Sequence, residues 1–365
     1  MRVAVLWTHL SGYLNACLLE LAKAGHELFV GYQRPDAEAP FLDTQFSWIP
    51  HRYSYELAPN GQELMQSLEV FHPDLFLVSG WHKRAYRHVC RQFAGRTMRV
   101  CCVDNPWEGT VKQWGGVLTS RWYLHSIFDA IFVPGERQAV FARKLGFAES
   151  CIWQGLLACD HDRFRTAYDQ RLANSKSPCS FLYPGRLSAE KGTAVLADAY
   201  RNYRQCEPRA WPLVIAGEGP LRHLISSVPG IAPKGFVQPE ELPGIMREAG
   251  CCVLPSLWDH WGVAVHEATA AGLPVICTSR CGAAVHLVRD RYNGYIVEPG
   301  NADALVQAMA RFSRLSDERR RQMGDASYLL SLQFTPQRWA EIVIERAAEF
   351  RHIGQNARYQ CVGQA

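Results

Sequence analysis

The feature that most constrains this chain is a grammar of short apolar runs, each followed by a helical or irregular stretch, which appears near the N-terminus and starts again after residue 178. "RVAVLW" (2–7), "DLFLVSG" (74–80), "MRVCCVD" (98–104) and "DAIFVPG" (129–135) make the first series. "SFLYPG" (180–185), "PLVIAG" (212–217), "CCVLPS" (251–256) and "LPVICTS" (273–279) make the second. Strands alternating with helices predict parallel sheets covered on both faces. After the first run, "YLNACLLELAKAG" puts Leu14, Cys17, Leu18 and Leu21 on one helical face, with Gly25 at its end. The expected class is α/β, with two doubly wound domains. A chain of 365 residues, 48% hydrophobic, has enough apolar material for two cores. The polar "RTAYDQRLANSKSP" (165–178) lacks strand periodicity and suits a linker, so the first domain is set at 1–170 and the second at 171–335.

Global charge points away from nucleic acid, since Lys plus Arg number 39 against 35 Asp plus Glu. The 13 cysteines are odd in number and scattered. No secretory segment is expected at the start and no run is long enough to span a bilayer, so reduced thiols and a cytoplasmic location are expected. Cys277 and Cys281 have a ligand-like spacing, but no second pair completes a zinc set, and they read as core thiols.

Ligands of doubly wound sheets sit beyond the carboxyl ends of the strands. In "GRLSAEKG", Gly185 and Gly192 bracket Arg186 and Lys191 on a loop leading into a helix. Helix N-termini attract phosphate, and two cations there would stabilise a departing phosphate. The plain alternative is a solvated basic turn. In "GEGPLRHL", Gly217 and Gly219 permit a tight turn and Pro220 suits the first helical position.

"PSLWDHWGVAVHEATAAGLPV" (255–275) is a strand end, a loop and a helix closed by Gly272 and Pro274. Gly262 starts that helix and lets a ligand approach the backbone. Glu267 stands about 7 Å further along it, at roughly 1.5 Å per residue. Asp259 stays in the loop. Carboxylates that accept hydrogen bonds from vicinal hydroxyls hold the ribose in dinucleotide folds. The layout suits a nucleoside diphosphate sugar, with Glu267 on the ribose, loop amides on phosphate and Asp259 on the sugar. A cap or salt bridge within the domain is the other reading of Glu267.

"GRLSAEKG", "LVIAGEGPLR", "GFVQPEELPGIMREAGCCVLPS" and "DHWGVAVHEATAAGLPV", in this order and spacing, resemble the C-terminal domain of retaining GT-B glycosyltransferases, glycosyltransferase family 4. "GAAVHLVRDRYNGYIVEPGNADAL" (282–305) is similar to the family's next segment. The resemblance implies two Rossmann-like domains facing across a cleft, with residues 336–365 as a helix and tail returning to the first domain. It implies that Arg186 and Lys191 bind the donor diphosphate, while Gly185, Gly219, Gly262 and Val263 shape the donor loops. Glu267 matches the second acid of the family's Glu-x7-Glu motif. Asp259 replaces the first, one methylene shorter, beside His260, where the family often has Pro. Phe236 and Val237 match the nucleobase pocket.

The first domain resembles the family less. "THLSGY" offers only Gly12 where a glycine-rich donor turn is usual, and Ser11 serves equally as a helix cap. Many members end the strand matching "RVCCV" with a His; here Asp104 stands there. It is a candidate for a sugar contact or proton movement, or an Asp ordering the turn before Pro106. Asn105, Trp107 and Trp114 are candidate acceptor contacts, core packing being the commoner fate of Trp.

The resemblance implies retaining hexosyl transfer from a nucleotide sugar to a glycan acceptor, expected to be lipid-linked, in cell-surface polysaccharide or glycoconjugate synthesis. No cofactor and no metal are implied, and closure of the two domains completes the site. "WHKRAYRHVCRQFAGRTMR" (81–99) sets Arg84, Arg87 and Arg91 on one stripe, with Lys83, Arg96 and Arg99 near and Trp81, Tyr86 and Phe93 interleaved. That pattern fits peripheral contact with anionic lipid at the inner membrane face, or an ordinary exposed helix. The rival reading is a catalytically weak nucleotide-sugar-binding or scaffold subunit, prompted by the acids at 259 and 104.

Overall fold

The computed structural model describes residues 1–33, 46–54, 62–174 and 176–356. The chain divides into two units, one formed by 1–158 with 336–365 and one by 159–335.

The first unit runs β1 (Arg2–His9), α1 (Gly12–Lys23), β2 (Glu27–Gln33), β3 (His51–Ser54), α2 (Gln62–Phe71), β4 (Leu75–Ser79), α3 (Arg84–Gln92), β5 (Met98–Cys102), α4 (Val111–Tyr123), β6 (Ala130–Val133), α5 (Glu136–Lys144) and β7 (Ile152–Gln154). Its sheet has the order β3-β2-β1-β4-β5-β6-β7, and every pairing is parallel. β4 and β5 are buried along almost their whole length because helices cover both faces.

The second unit runs α6 (His161–Leu172), β8 (Phe181–Pro184), α7 (Thr193–Cys206), β9 (Leu213–Ala216), α8 (His223–Ser226), β10 (Ile231–Gly235), α9 (Leu242–Arg247), β11 (Cys251–Leu254), α10 (Val263–Ala270), β12 (Val275–Thr278), α11 (Ala284–Leu287), β13 (Gly294–Val297), α12 (Ala302–Ser313) and α13 (Asp317–Ser331). Its sheet is again parallel, in the order β10-β9-β8-β11-β12-β13. The last helix, α14 (Pro336–Asn356), belongs to the first unit, where it packs on α1 and the Trp339 indole donates to the Leu156 carbonyl at 2.8 Å. Residues 357–365 of the expected tail lie outside the described residues.

All eight apolar runs are strands. The boundary differs from the one composition suggests: the division falls after Ala158, and much of the supposed linker at 165–178 is α6. Asp160 caps that helix, its carboxylate accepting from the Arg163 amide at 3.4 Å. His161 meets the Ser331 hydroxyl at 2.9 Å, and the Tyr168 ring stacks on Tyr328 at 4.0 Å. Arg171 reaches the carbonyls of Met246, Arg247 and Ala249 at the end of α9, and burial pushes its guanidinium down to about 10. α6 is polar because only His161, Phe164 and Ala167 turn inward.

Ten of the twelve described cysteines are buried, none of the twelve is in a disulfide, and burial raises the thiols of Cys251, Cys252 and Cys281 far above their ordinary range. Cys277 and Cys281 are core residues, as expected.

Candidate functional site

In the second sheet, β9 and β10 lie on one side of β8 while β11 and its successors lie on the other. Such a reversal leaves the loops after β8 and β11 diverging to opposite faces, which opens a crevice at the carboxyl edge. Arg186, Lys191, Asp259 and Glu267 all follow these two strands. The loop after β8 is held from several sides. The Tyr183 hydroxyl donates to the Arg186 carbonyl at 2.6 Å, and the Leu187 amide to the Glu218 carbonyl at 2.8 Å. The Leu257 amide, on the loop after β11, donates to the Glu190 carbonyl at 2.8 Å. Gly192 has φ 71, and a Cβ there would lie 2.0 Å from the Pro255 carbonyl oxygen. No side chain fits that position, so the two loops run in direct contact.

Across this contact the Lys191 ammonium binds the Asp259 carboxylate, Nζ to Oδ2, at 2.6 Å. The two side chains are 29% and 15% exposed, so the pair is partly shielded from water. Gly262 caps α10 with φ 88, and the Asp259 Oδ2 atom lies 3.4 Å from where its Cβ would stand. The Asp259 carboxylate therefore rests at the open N-terminus of α10, where backbone N–H groups favour an anion. The resemblance assigns Lys191 to phosphate and Asp259 to sugar; the structure pairs them with one another. An arriving diphosphate would compete with this carboxylate for both the lysine and the helix end.

Glu190, which spacing did not single out, sits between the two cations. Its carboxyl lies below the ordinary range because the Ser188 hydroxyl donates to it at 2.5 Å, with its own amide and the Arg186 and Lys191 charges adding, against an opposing pull from burial. Arg186 is exposed on the same loop.

Glu267 lies in the middle of α10. Burial pushes its carboxyl up to about 8, while the Arg163 charge lowers it and Asp160 raises it. Arg163 is itself held by Asp160 at 3.0 Å and Glu240 at 3.3 Å. The Glu267 carboxyl has no hydrogen-bond partner among the described residues, yet the side chain is not sealed from solvent. It is neither a cap nor half of a salt bridge. Gly185 and Gly219 line the same edge, after β8 and β9, while Phe236, 39% exposed, and Val237 follow the edge strand β10. His260 stands beside the Trp258 ring at 5.0 Å, and Val263 is the first residue of α10.

The first sheet reverses between β1 and β4. A cavity of about 570 Å³ opens there, lined among others by Thr8, His9, Ser79, His82, Asp104 and Asn105. The Thr8 hydroxyl meets Ser79 at 2.8 Å and the His82 ring at 3.4 Å. Burial first, then the charges of Lys83, Arg87 and His9, lower the His82 imidazole below its ordinary value, which keeps it neutral near pH 7 and able to accept a proton. His82 was legible only as the third residue after β4. Asp104 is exposed just beyond β5. Gly12 opens α1; Ser11 takes the cap position, but its buried hydroxyl bonds nothing among the described residues, so it is no side-chain cap.

Trp107 and Trp114 do not line the cavity. Their rings meet edge to face at 5.2 Å, with the Lys144 ammonium 4.8 and 5.7 Å from the two centroids. The basic stretch also resolves unevenly. Arg99 is 5% exposed and clamped by Asp129 at 2.6 Å, and Arg96 binds Glu69 at 2.8 Å. Tyr86 and Phe93 are core. Arg84, Arg87 and Arg91 remain on α3.

Comparison with known proteins adds the following. Residues 164–329, within the second unit, match the family model for glycosyl transferases group 1. A putative teichuronic acid biosynthesis glycosyltransferase of Bacillus subtilis is 32% identical over 144 residues, 40% of this chain and 33% of that protein. An Escherichia coli UDP-Gal:alpha-D-GlcNAc-diphosphoundecaprenol alpha-1,3-galactosyltransferase is 32% identical over 71 residues, 20% of this chain and 18% of that one. The chain spans about a third of the length of the first of these relatives and less than a fifth of the second. The crystal structure of Anabaena HepE in complex with UDP aligns with TM-score 0.69 at 18% identity, covering 94% of this chain and 99% of that one. The two parallel-sheet, Rossmann-like units are thus those of the GT-B fold.

Proposed function

We propose that this protein is a retaining glycosyltransferase of family 4, which moves a hexose from a nucleoside diphosphate sugar to a lipid-linked glycan acceptor in polysaccharide synthesis, without a metal. The observation that carries this reading is Glu267: a desolvated carboxyl with no hydrogen-bond partner among the described residues, in a helix whose open end holds a Lys–Asp pair at a Rossmann switch point. Hydroxyl groups of a ribose are the donors such a carboxylate lacks. The match of residues 164–329 to glycosyl transferases group 1, and the diphosphoundecaprenol in one relative's name, support donor chemistry and acceptor class respectively.

In this reading the diphosphate displaces Asp259 from Lys191 and takes the N-terminus of α10, with Arg186 beside it. These cations and the helix end stabilise the charge that builds on the leaving diphosphate as the glycosidic bond breaks. The acceptor hydroxyl attacks on the face the diphosphate leaves, so the anomeric configuration is retained and no protein nucleophile is used. Asp259, released from Lys191, faces the transferred sugar. Asp104 takes the acceptor side.

The test is incubation of the purified chain with a panel of nucleotide sugars and diphosphate-linked glycans, following nucleotide release and product anomeric configuration by NMR. Transfer with retention is expected. Inversion would refute the mechanism, and binding with no transfer to any acceptor would favour the scaffold reading.

A further inference from the structure

Helix α4 is inside out. At 100° per residue its inward arc holds Gln113, Gly116, Val117 and Ser120, of which only Ser120 is buried. Its solvent arc carries Val111, 89% exposed, Trp114, 52%, Leu118, 70%, and Trp122, 79%. A surface helix ordinarily turns its apolar stripe to the core. Here the stripe is the wet face, and four large side chains at consecutive turns make a contiguous ridge of the kind that marks an interaction surface.

Helices α3 and α4 carry one sign of charge. Lys112 and Arg121 flank the ridge, and no Asp or Glu occurs from residue 109 to 128 or from 75 to 103. Arg91 and Arg87 of α3 stand 5.3 and 6.0 Å from the Tyr123 ring at the far end of α4, and Lys144 stands by Trp114. Glu108, just before the helix, is the nearest acid in sequence. A convex ridge of Trp and Leu rimmed by Lys and Arg matches an interface of apolar tails beneath anionic headgroups. No helix among the described residues is long and apolar enough to cross a membrane.

We propose that α4 seats this protein on an anionic lipid bilayer, with Trp114, Leu118 and Trp122 at headgroup depth and the exposed Arg84 and Arg91 over lipid phosphates, while Arg87 is held inward by the Trp81 carbonyl. Lys112, Gln113 and Gly116 on the same helix, with its cap Thr110, line the cavity of the first unit. A lipid-borne acceptor would then present its polar head to that cavity while its tail stays in the bilayer; this consequence rests on the function proposed above, whereas the docking itself does not.

The test is co-sedimentation of the full chain with vesicles of phosphatidylcholine alone and of phosphatidylcholine mixed equally with phosphatidylglycerol. The wild type should prefer the anionic vesicles by at least about tenfold. Leu118→Ser with Trp122→Ser should lose about tenfold or more of that binding, since two apolar side chains no longer insert. Arg84→Glu with Arg91→Glu should lose the preference for phosphatidylglycerol. Both variants should keep wild-type nucleotide affinity by calorimetry, which reports the second unit, and wild-type circular dichroism, which reports folding. If one variant misfolds, the other carries the test. Equal partition of wild type and variants would overturn the proposal. So would a wild-type dimer that the Leu118/Trp122 variant abolishes, because a second copy would then be the occupant. Vesicle binding without sugar transfer would leave the docking intact and remove the proposed function instead.

Discussion

The two sheets reverse at the same place, between their first and fourth strands in winding order, yet what lies beyond that reversal differs. In the second unit it is charged and tight: Arg186, Glu190, Lys191 and Asp259 share two loops in backbone contact at Gly192 and Pro255, and Glu267 follows on α10. In the first it is a cavity of about 570 Å³ lined by hydroxyls, imidazoles and apolar side chains, with one acid, Asp104, and one lysine, Lys112. Topology therefore dictates where a ligand sits, and loop chemistry dictates which ligand it is. Ionic groups that already satisfy or desolvate one another suit an anion that must be gripped and released. An open cavity of mixed hydroxyl, imidazole and aromatic lining suits a neutral, hydroxyl-rich group such as a sugar.

The sharpest way to break this contrast is inside the second unit. Glu267→Ala should lower nucleotide-sugar affinity by about 100-fold, because a diol makes two hydrogen bonds of about 1.5–3 kcal/mol each to a charged carboxylate, offset near pH 7 by about 1.4 kcal/mol to ionise a carboxyl that titrates at about 8. Asp259→Asn should leave affinity within about threefold, since losing the carboxylate also frees Lys191 for phosphate. Isothermal titration calorimetry with both variants reads the difference. Equal affinities, or the reverse ranking, would mean that α10 holds its ligand at the mouth and not along its length.

A comparable effect, on turnover alone, is expected from the first unit. Asp104→Asn should reduce turnover by roughly 100-fold, the lower end of what a proton-handling side chain contributes, with nucleotide affinity unchanged. Steady-state rates with saturating donor report the first quantity and calorimetry the second. Full activity in this variant would reduce Asp104 to a turn residue before Pro106, and His82, the neutral imidazole in the same cavity, would become the group to test.

The sequence made the repeating strands and the polar positions after them legible, because apolar runs and glycine punctuation are local signals. β10, "IAPKG", escaped because an edge strand with Pro233 and three exposed residues carries no such signal. α6 escaped because it buries so little. At the site, Arg186, Lys191, Asp259 and Glu267 could be placed on their loops and helix. The Lys191–Asp259 contact joins residues 68 apart and depends on how closely two loops pass, which no spacing encodes. The same holds for Arg99, whose neighbours suggested a surface patch until Asp129 proved to clamp it in β5. The exposed face of α4 was hidden for a different reason: periodicity reveals an apolar stripe but not which way it turns.

The least dramatic prediction concerns pH and separates the two units by stability alone. Glu267 titrates at about 8 when folded, against an ordinary value of 4.5. Between these values the folded chain binds the proton more tightly than the unfolded chain, so stability falls as pH rises, by up to about 1.4 kcal/mol per pH unit, and the fall levels off above the folded value. Glu267→Gln removes this slope without adding a charge. Its melting temperature should exceed that of the wild type by a few degrees at about pH 9, and the two should converge towards pH 5. Bound nucleotide should narrow the gap, since ribose hydroxyls favour the ionised carboxyl and draw its pKa down. Parallel melting curves across this range, with and without nucleotide, would mean that water already satisfies Glu267, and the contrast between a desolvated site in the second unit and an open one in the first would lose its physical basis.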